Sequence, residues 1–212
     1  MERDLTRQCN CDYLASDESD DSNLDVMFGK QEDIKLDPQT LGDLPTRKGS
    51  RPKTLRGPLH IQCSEHGHRK YTDQLVRDVL SWPHVEALPD SSNPRTAIPM
   101  RFEENAATLD SAPFISAREF ARVLLGARTI YLALPLVCAH WAIVRGWAEP
   151  HYLSSFGLLP AGAVVVYTPK DREELAVCYA LFHAAYHSAF SMNSRPAETA
   201  SSGIRSLSFS RS

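Results

Sequence analysis

Strong charge of one sign is missing from this sequence. A formal net charge of −3 over 212 residues gives no global pull toward nucleic acid or an anionic membrane. No apolar run long enough to cross a bilayer is present either. The longest, "TIYLALPLVCAHWAIV", has 16 residues broken by Pro135 and His140, short of the ~20 that a spanning helix needs, and reads as buried core. The amino-terminal stretch "MERDLTRQCNCDYLASDESDD" has neither the apolar centre of a secretory signal nor the carboxylate-poor composition of a mitochondrial presequence. Five cysteines without a paired pattern argue against a disulfide scaffold. Cys9 and Cys11 lie in a polar head, Cys63 stands alone, and Cys138 and Cys178 fall in apolar patterns. An intracellular, cytoplasmic setting is the expectation. No Gly-rich phosphate loop, Gly-x-Ser-x-Gly elbow or Cys-x-x-Cys pair occurs, so nucleotide binding, serine hydrolysis and thioredoxin-like chemistry lack a motif. No repeat of solenoid or propeller period is present.

What is present divides into three parts. Residues 1–69 are an acidic and then basic region: "SDESDDSNLD" is followed by "RKGSRPKTLRG", and such charge blocks predict a disordered head and a solvated linker that could bind phosphate or fold back on the acids. Residues 191–212 form a Ser-rich tail without periodicity, and a protein partner for the two tails is left open. Residues 70–190 carry the structural signal. "YTDQLVRDVLSW" spaces Leu75, Val79 and Leu80 for a helix that Pro83 ends near Trp82. Short edge strands are expected at Val85–Leu88 and Ile98–Phe102. Ser116 and Glu119 have capping-box spacing, yet the alternation from Glu119 to Leu124 and the β-rich "TIYLAL" favour a hairpin turning at Gly126-Ala127, with glycine at positive φ. "PLVCAHWAIVRG" predicts a helix with Pro135 in its first turn and Gly146 as its stop. Val164–Tyr167 predicts a buried strand, followed by a helix with Thr168 as N-cap, Pro169 in the first position and an apolar stripe of Leu175, Cys178, Tyr179, Phe182, Ala185, Tyr186 and Ala189. The sum is an α+β fold: one two-layer domain, a small, mainly antiparallel sheet with helices packed on one face, and disordered tails.

The candidate chemistry is sparse. His183 and His187 have the i,i+4 spacing that can share a metal, but no third ligand stands near. Cys63, His66 and His68 are a half-site at most, so no metal is expected. His60, His84 and His140 carry no pattern and are assigned to surface or core. His151 follows a helix stop and Pro150, with Trp147 and Glu149 close in sequence, so an imidazole aimed by a carboxylate beside an aromatic wall can act as a general base. A loop histidine hydrogen-bonded to a carbonyl is the alternative.

Taken together, "SAREFARVLLGARTIYLALP", "GWAEPHYL" and "VVVYTPKDREELAVCYALFHAAY" resemble the luciferase-domain family, which has fungal and bacterial members. Arg118, Glu119 and Ala121 fit its Arg-Glu-hydrophobic-Ala element, Leu132–Leu134 its next strand, Gly146, Trp147 and His151 its Gly-Trp and histidine, and Tyr167, Pro169, Asp171 and Glu174 its strand-to-helix junction. "VLSWPHVEALP" is similar to its opening. The family's usual His-x-His is Arg122-Val123-Leu124 here. The resemblance implies, if the protein is catalytic, a monooxygenase-like, cofactor-independent oxygenation of an aromatic or pyrone small molecule. Under it, His151, Glu149 and Arg122 are the catalytic candidates, and Arg118, Glu119, Tyr131, Trp147 and Tyr167 the substrate-binding ones. The other reading is a non-catalytic binding or interaction module that keeps the fold.

Overall fold

The computed structural model describes residues 40–87, 97–104, 106, 113–116 and 118–191; the expectations for the acidic head, the Ser-rich tail and Leu88 lie outside them. After a 3-10 turn at Thr40–Asp43 come the short strands β1 (Thr54–Leu55) and β2 (Ile61–Gln62), helix α1 (Arg69–Leu80), strands β3 (Val85–Ala87), β4 (Ala97–Phe102), β5 (Glu119–Leu124) and β6 (Thr129–Ala133), helix α2 (Leu136–Val144), strand β7 (Ala148–Pro150), a 3-10 turn at Tyr152–Phe156, strand β8 (Ala163–Val166) and helix α3 (Arg172–Ser191). The α+β class is therefore observed. Six strands form an antiparallel sheet in the order β3-β4-β5-β6-β8-β7, and β1 pairs with β2 as a separate hairpin. Among the described residues no helix is long and apolar enough to cross a membrane.

The two faces of the sheet have different fates because the side-chain period of a strand is two. Val123, Ile130, Val166 and Ala148 share one row, and this face packs on Leu75 and Val79 of α1, Cys138 and Ala142 of α2, and Leu175, Leu181 and Phe182 of α3 in one core cluster. The other face carries a smaller cluster of Ala97, Leu124, Tyr131 and Val165, against which Ile61 of the β1–β2 hairpin packs. Most of the functional candidates sit on this second face; Trp147 and Arg118 do not.

Local chemistry explains most element ends, and it corrects several expectations. α2 stops in a Schellman arrangement. Gly146, at φ +81°, donates to the Ile143 carbonyl, and Trp147 N–H reaches the Ala142 carbonyl at 2.8 Å. Pro135 is the N-cap rather than a first-turn residue. α3 is capped by Asp171, whose Oδ1 accepts from Glu174 N–H at 2.8 Å, while the Glu174 carboxylate takes Lys170 N–H. Thr168 is not the cap, and Pro169 lies before the helix. The β5–β6 hairpin forms as expected, but the residue at positive φ in its turn is Arg128, at 44°, not Gly126. Ser116 and Glu119 open no helix; they close a turn, Glu119 N–H donating to the Ser116 carbonyl. β4 is an interior strand rather than an edge. β3 pairs only with Met100–Phe102, so Pro99, which cannot donate, sits where no β3 partner asks it to.

The packed unit also begins before Lys70. Leu41 and Leu44 belong to the core, and Arg47, the first residue of the stretch expected to be a solvated linker, is buried with its Nε 3.3 Å from Glu174 Oε1.

Candidate functional site

One row of the second sheet face runs Arg122 (β5), Tyr131 (β6), Val165 (β8), Glu149 (β7), each opposite the next in register. Glu119 joins this row through a bulge. Met100 pairs with Ala121 and Arg101 with Glu119, which leaves Phe120 as an extra residue on β5. Residues three apart on a regular strand face opposite sides. The bulge restores Glu119 to the face of Arg122, and the two form a bidentate ion pair at 2.6 and 2.8 Å, with Ser116 Oγ also donating to Oε2, the oxygen that accepts Arg122 Nη2.

At the far end of the row, Glu149 is covered by the β1–β2 hairpin. Its Oε1 accepts Thr54 Oγ1 and His60 Nε2, each at 2.5 Å; its Oε2 accepts Tyr167 O–H at 3.4 Å and lies 3.8 Å from Arg56. His60 is fully buried, and its Nδ1 accepts Tyr152 N–H at 3.0 Å. A ring that accepts at Nδ1 carries its proton at Nε2, so a neutral His60 donates to Glu149. Burial alone would raise the Glu149 carboxyl, but the hydrogen bonds of His60 and Thr54 and the charge of Arg56 outweigh it and hold the group below its ordinary value. Tyr167 is pushed up to about 12, chiefly by burial and then by the Glu149 charge.

His151 stands beside this pair, its ring centroid 5.5 Å from His60 and 4.6 Å from Tyr131 in edge contacts. It is 2% exposed. Its Nδ1 accepts Leu153 N–H at 3.2 Å, which caps the 3-10 turn Tyr152–Phe156, so in the neutral ring the proton is on Nε2. That Nε2 is buried and has no hydrogen-bond partner. The Tyr131 hydroxyl is likewise buried without a partner in hydrogen-bond geometry, although the His60 backbone lies close enough to oppose its rise. Burial pushes Tyr131 up to about 12 and, with the neighbouring His60, lowers His151 to about 4. The geometry thus departs from the sequence expectation in two respects. Glu149 aims His60, not His151. His151 presents an N–H where a general base would need a lone pair.

Two further candidates stand elsewhere. Trp147 walls no site on this face: it is buried in the core with its indole N–H on the Pro45 carbonyl at 2.6 Å. Arg118, at φ 61°, donates to the carbonyls of Glu104 and Ala106 and holds that loop. Arg122, Glu119, Tyr131, Glu149, His151 and Tyr167 do share the second-face neighbourhood. His60, Thr54 and Arg56 were missed because they lie far from Glu149 in sequence, 89 residues in the case of His60, with no local motif to mark them.

The histidine pair on α3 is engaged in ring contacts. His183 stacks on Trp82 at 4.2 Å and on His187 at 5.6 Å, and among the described residues no three His, Cys, Asp or Glu side chains cluster to hold a metal. A recess of about 180 Å³ is lined by Thr46, Arg47, Gly49, Arg51, Val144, Arg145 and Gly146. It contains none of the second-face residues, and its arginines have partners: Arg51 donates to the Ile143 carbonyl at 2.8 Å, Arg47 to the Ser50 carbonyl at 3.1 Å and Arg145 to Thr46 Oγ1 at 3.5 Å. Convergent titratable groups make the second face the stronger candidate despite its being closed over.

Residues 117–185 match the family model described as Luciferase domain. The matched span holds every second-face residue on β5 to β8 and leaves out the hairpin that supplies Thr54, Arg56 and His60. No curated protein and no solved structure matches the chain.

Proposed function

We propose that this luciferase-like domain binds an acidic hydroxylated ring, an enol or phenol of the hydroxypyrone type, on the second face of its sheet and holds it as an anion. The observation that carries this reading is the pair of buried donors without partners, Tyr131 O–H and His151 Nε2–H, on rings that meet edge to face with centroids 4.6 Å apart. A buried donor left unpaired costs about 1–3 kcal/mol, and a ligand oxygen placed between the two removes that cost. Both groups favour an oxyanion. Tyr131 keeps its proton well above neutral pH, and His151 stays neutral and donates rather than accepts. A ligand of this type enters as its anion and needs no base: Glu149, taken by Thr54, His60 and Tyr167 and held below its ordinary value, is a poor proton acceptor.

Catalysis goes one step further. An electron-rich anion held by fixed donors is the form that reduces dioxygen directly, and the donors then stabilise charge developing on oxygen. Arg122, on the same row as Tyr131, supplies positive charge, although its pairing with Glu119 lowers what it can offer. The family match supports this chemistry over an unrelated one. A non-catalytic interaction module is favoured by a different observation: α2 turns Leu136, Val137 and Val144 to solvent at 64, 57 and 53% exposure, more apolar surface than a helix needs to leave open.

Calorimetry with 4-hydroxy-2-pyrone tests the reading. Tyr131→Phe should weaken binding about 10-fold, the worth of one hydrogen bond to a charged oxygen, and the bound pyrone should show the absorbance of its anion. His151→Asn keeps an acceptor for Leu153 N–H, lacks the Nε2 donor, and should weaken binding similarly. Equal affinities in the wild type and both variants would sink the site. Oxygen consumption in the wild-type complex, reduced in Tyr131→Phe, would establish catalysis; binding without consumption would leave a binding module.

A further inference from the structure

The β1–β2 hairpin is fixed firmly at both ends and through one side chain in its middle. At its exit, Gln62 N–H donates to Thr129 Oγ1 at 2.9 Å, and the Gln62 amide bridges the carbonyls of Ser64 and Glu65 and the backbone N–H of Thr168. Before its start, Arg51 is fastened to the Ile143 carbonyl. At its base Lys53 accepts Cys63 N–H and donates to Ser64 Oγ, each at 2.7 Å; beyond that the ladder has the pairs Thr54–Gln62 and Leu55–Ile61, too few to hold a hairpin by themselves. Leu55 and Leu59 are 57 and 59% exposed, and only Ile61 of the two strands packs on the second-face cluster. What fastens the middle is polar and converges on one carboxylate: Thr54 and His60 both donate to Glu149 Oε1, and His60 in turn takes Tyr152 N–H.

We infer that the segment Thr54–Gln62 is a hinged cover over the Tyr131–His151 site, fastened by Glu149, and that a ligand reaches the two unpaired donors when the cover lifts. The ligand's chemistry rests on the reading above; the motion does not. Hydrogen bonds to an ionised carboxylate are about twice as strong as neutral ones, so the charge on Glu149 keeps the cover down. The groups facing that carboxylate are Thr54, Arg56 and His60 from the cover and Tyr167 from the segment after β8, with His151 beyond His60.

Hydrogen exchange on the ligand-free full chain at neutral pH tests the cover. Glu149→Gln, which replaces the anion by a neutral amide, should speed exchange of the amides of residues 54–62 and of Tyr152 about 10-fold or more, with the β6 and β8 amides unchanged. Thr54→Val removes one fastening bond, alters no charge, and should act in the same direction to a smaller extent; it carries the test alone if Glu149→Gln melts the domain. Unchanged exchange in the cover would overturn the inference. So would faster exchange in Thr54→Val with no gain in the stopped-flow association rate of 4-hydroxy-2-pyrone. If the wild type binds no pyrone, the ligand reading fails, and the cover is judged on exchange alone.

Discussion

His151 performs two tasks with one ring, and they pull its chemistry in a fixed direction. Nδ1 caps the 3-10 turn at Tyr152–Phe156, which commits the lone pair that a general base would use. Nε2 is left as a buried donor. Stability should report this. His151→Ala loses the cap and most of a buried ring and should cost about 2–4 kcal/mol in urea unfolding, whereas His151→Asn restores the cap and should recover about 1 kcal/mol of that. The pH dependence has a definite sign. The folded ring titrates near 4 and the unfolded one near 6.5, so between those values the unfolded chain binds more protons and stability falls as the medium is acidified; above about 6.5 the ring contributes no slope. His183, also lowered to about 4 by burial and by His187, adds to the same window. A His151→Asn protein should therefore show a shallower loss between pH 6.5 and 4, and a slope equal to that of the wild type would show that His151 is already charged in the fold. The sequence singles out His151 and Glu149, and the fold brings both under the β1–β2 hairpin, each beside His60. The sequence could not show that Glu149 pairs with His60, because adjacency along a chain says nothing about which residue a distant hairpin lays on top.

At the scale of elements, periodicity was a good guide and end chemistry a poor one. Of the α3 stripe, Leu175, Cys178, Phe182, Ala185 and Ala189 are buried as its spacing demands, while Tyr179 and Tyr186 are only partly buried against the core. Its cap was misplaced because Thr168 and Asp171 are both good N-cap residues, and tertiary partners decided between them. Thr168 Oγ1 is occupied, accepting Gly67 N–H at 2.9 Å and lying 3.4 Å from Gln62 Oε1. Asp171 was left to cap the helix. The two positions should then separate in mutational data. Asp171→Ala should cost about 1 kcal/mol, the usual worth of a cap, and be felt at the first turn of α3. Thr168→Val should leave α3 capped and instead speed exchange at Gly67 and around Gln62, the hinge of the cover. Helix-start fraying in Thr168→Val, seen by exchange at Arg172–Leu175, would contradict this assignment. The β5 bulge is a further feature no pattern foretold. "REFARVL" reads as plain alternation from Glu119, and only the pairing with β4 shows that Phe120 is an extra residue that turns Glu119 toward Arg122.

At the scale of the whole molecule, the segment from Thr40 to His68 is part of the fold, and its composition concealed this. It is rich in Lys, Arg, Pro and Gly and has little apolar periodicity, which on general grounds predicts a solvated linker. It is held by a few specific ties rather than by a stripe: Leu41 and Leu44 in the core, the Pro45 carbonyl on Trp147 Nε1, Arg47 against Glu174, and Gln62 between Thr129 and Thr168. The hydrogen-bonded ties reach partners 67 to 106 residues away, so none is visible as local pattern. Their loss would be severe. Removing the segment leaves the buried Glu174 without Arg47, and breaking a buried pair from one side costs about 3–5 kcal/mol; it also uncovers the face of Tyr131 and Val165. Limited proteolysis of the full chain should accordingly leave a fragment that starts near Thr40 and not near Lys70. A truncated protein beginning at Lys70 should melt far below the full chain or fail to fold, while one beginning near Thr40 should melt within a few degrees of it, since a change of 1 kcal/mol moves Tm by about 2–8 °C over this range of domain sizes. Equal melting temperatures for the two truncations would mean that the segment is a dispensable strap and that the sheet's second face can stand open, and the covered site would then have to be rethought as an exposed one.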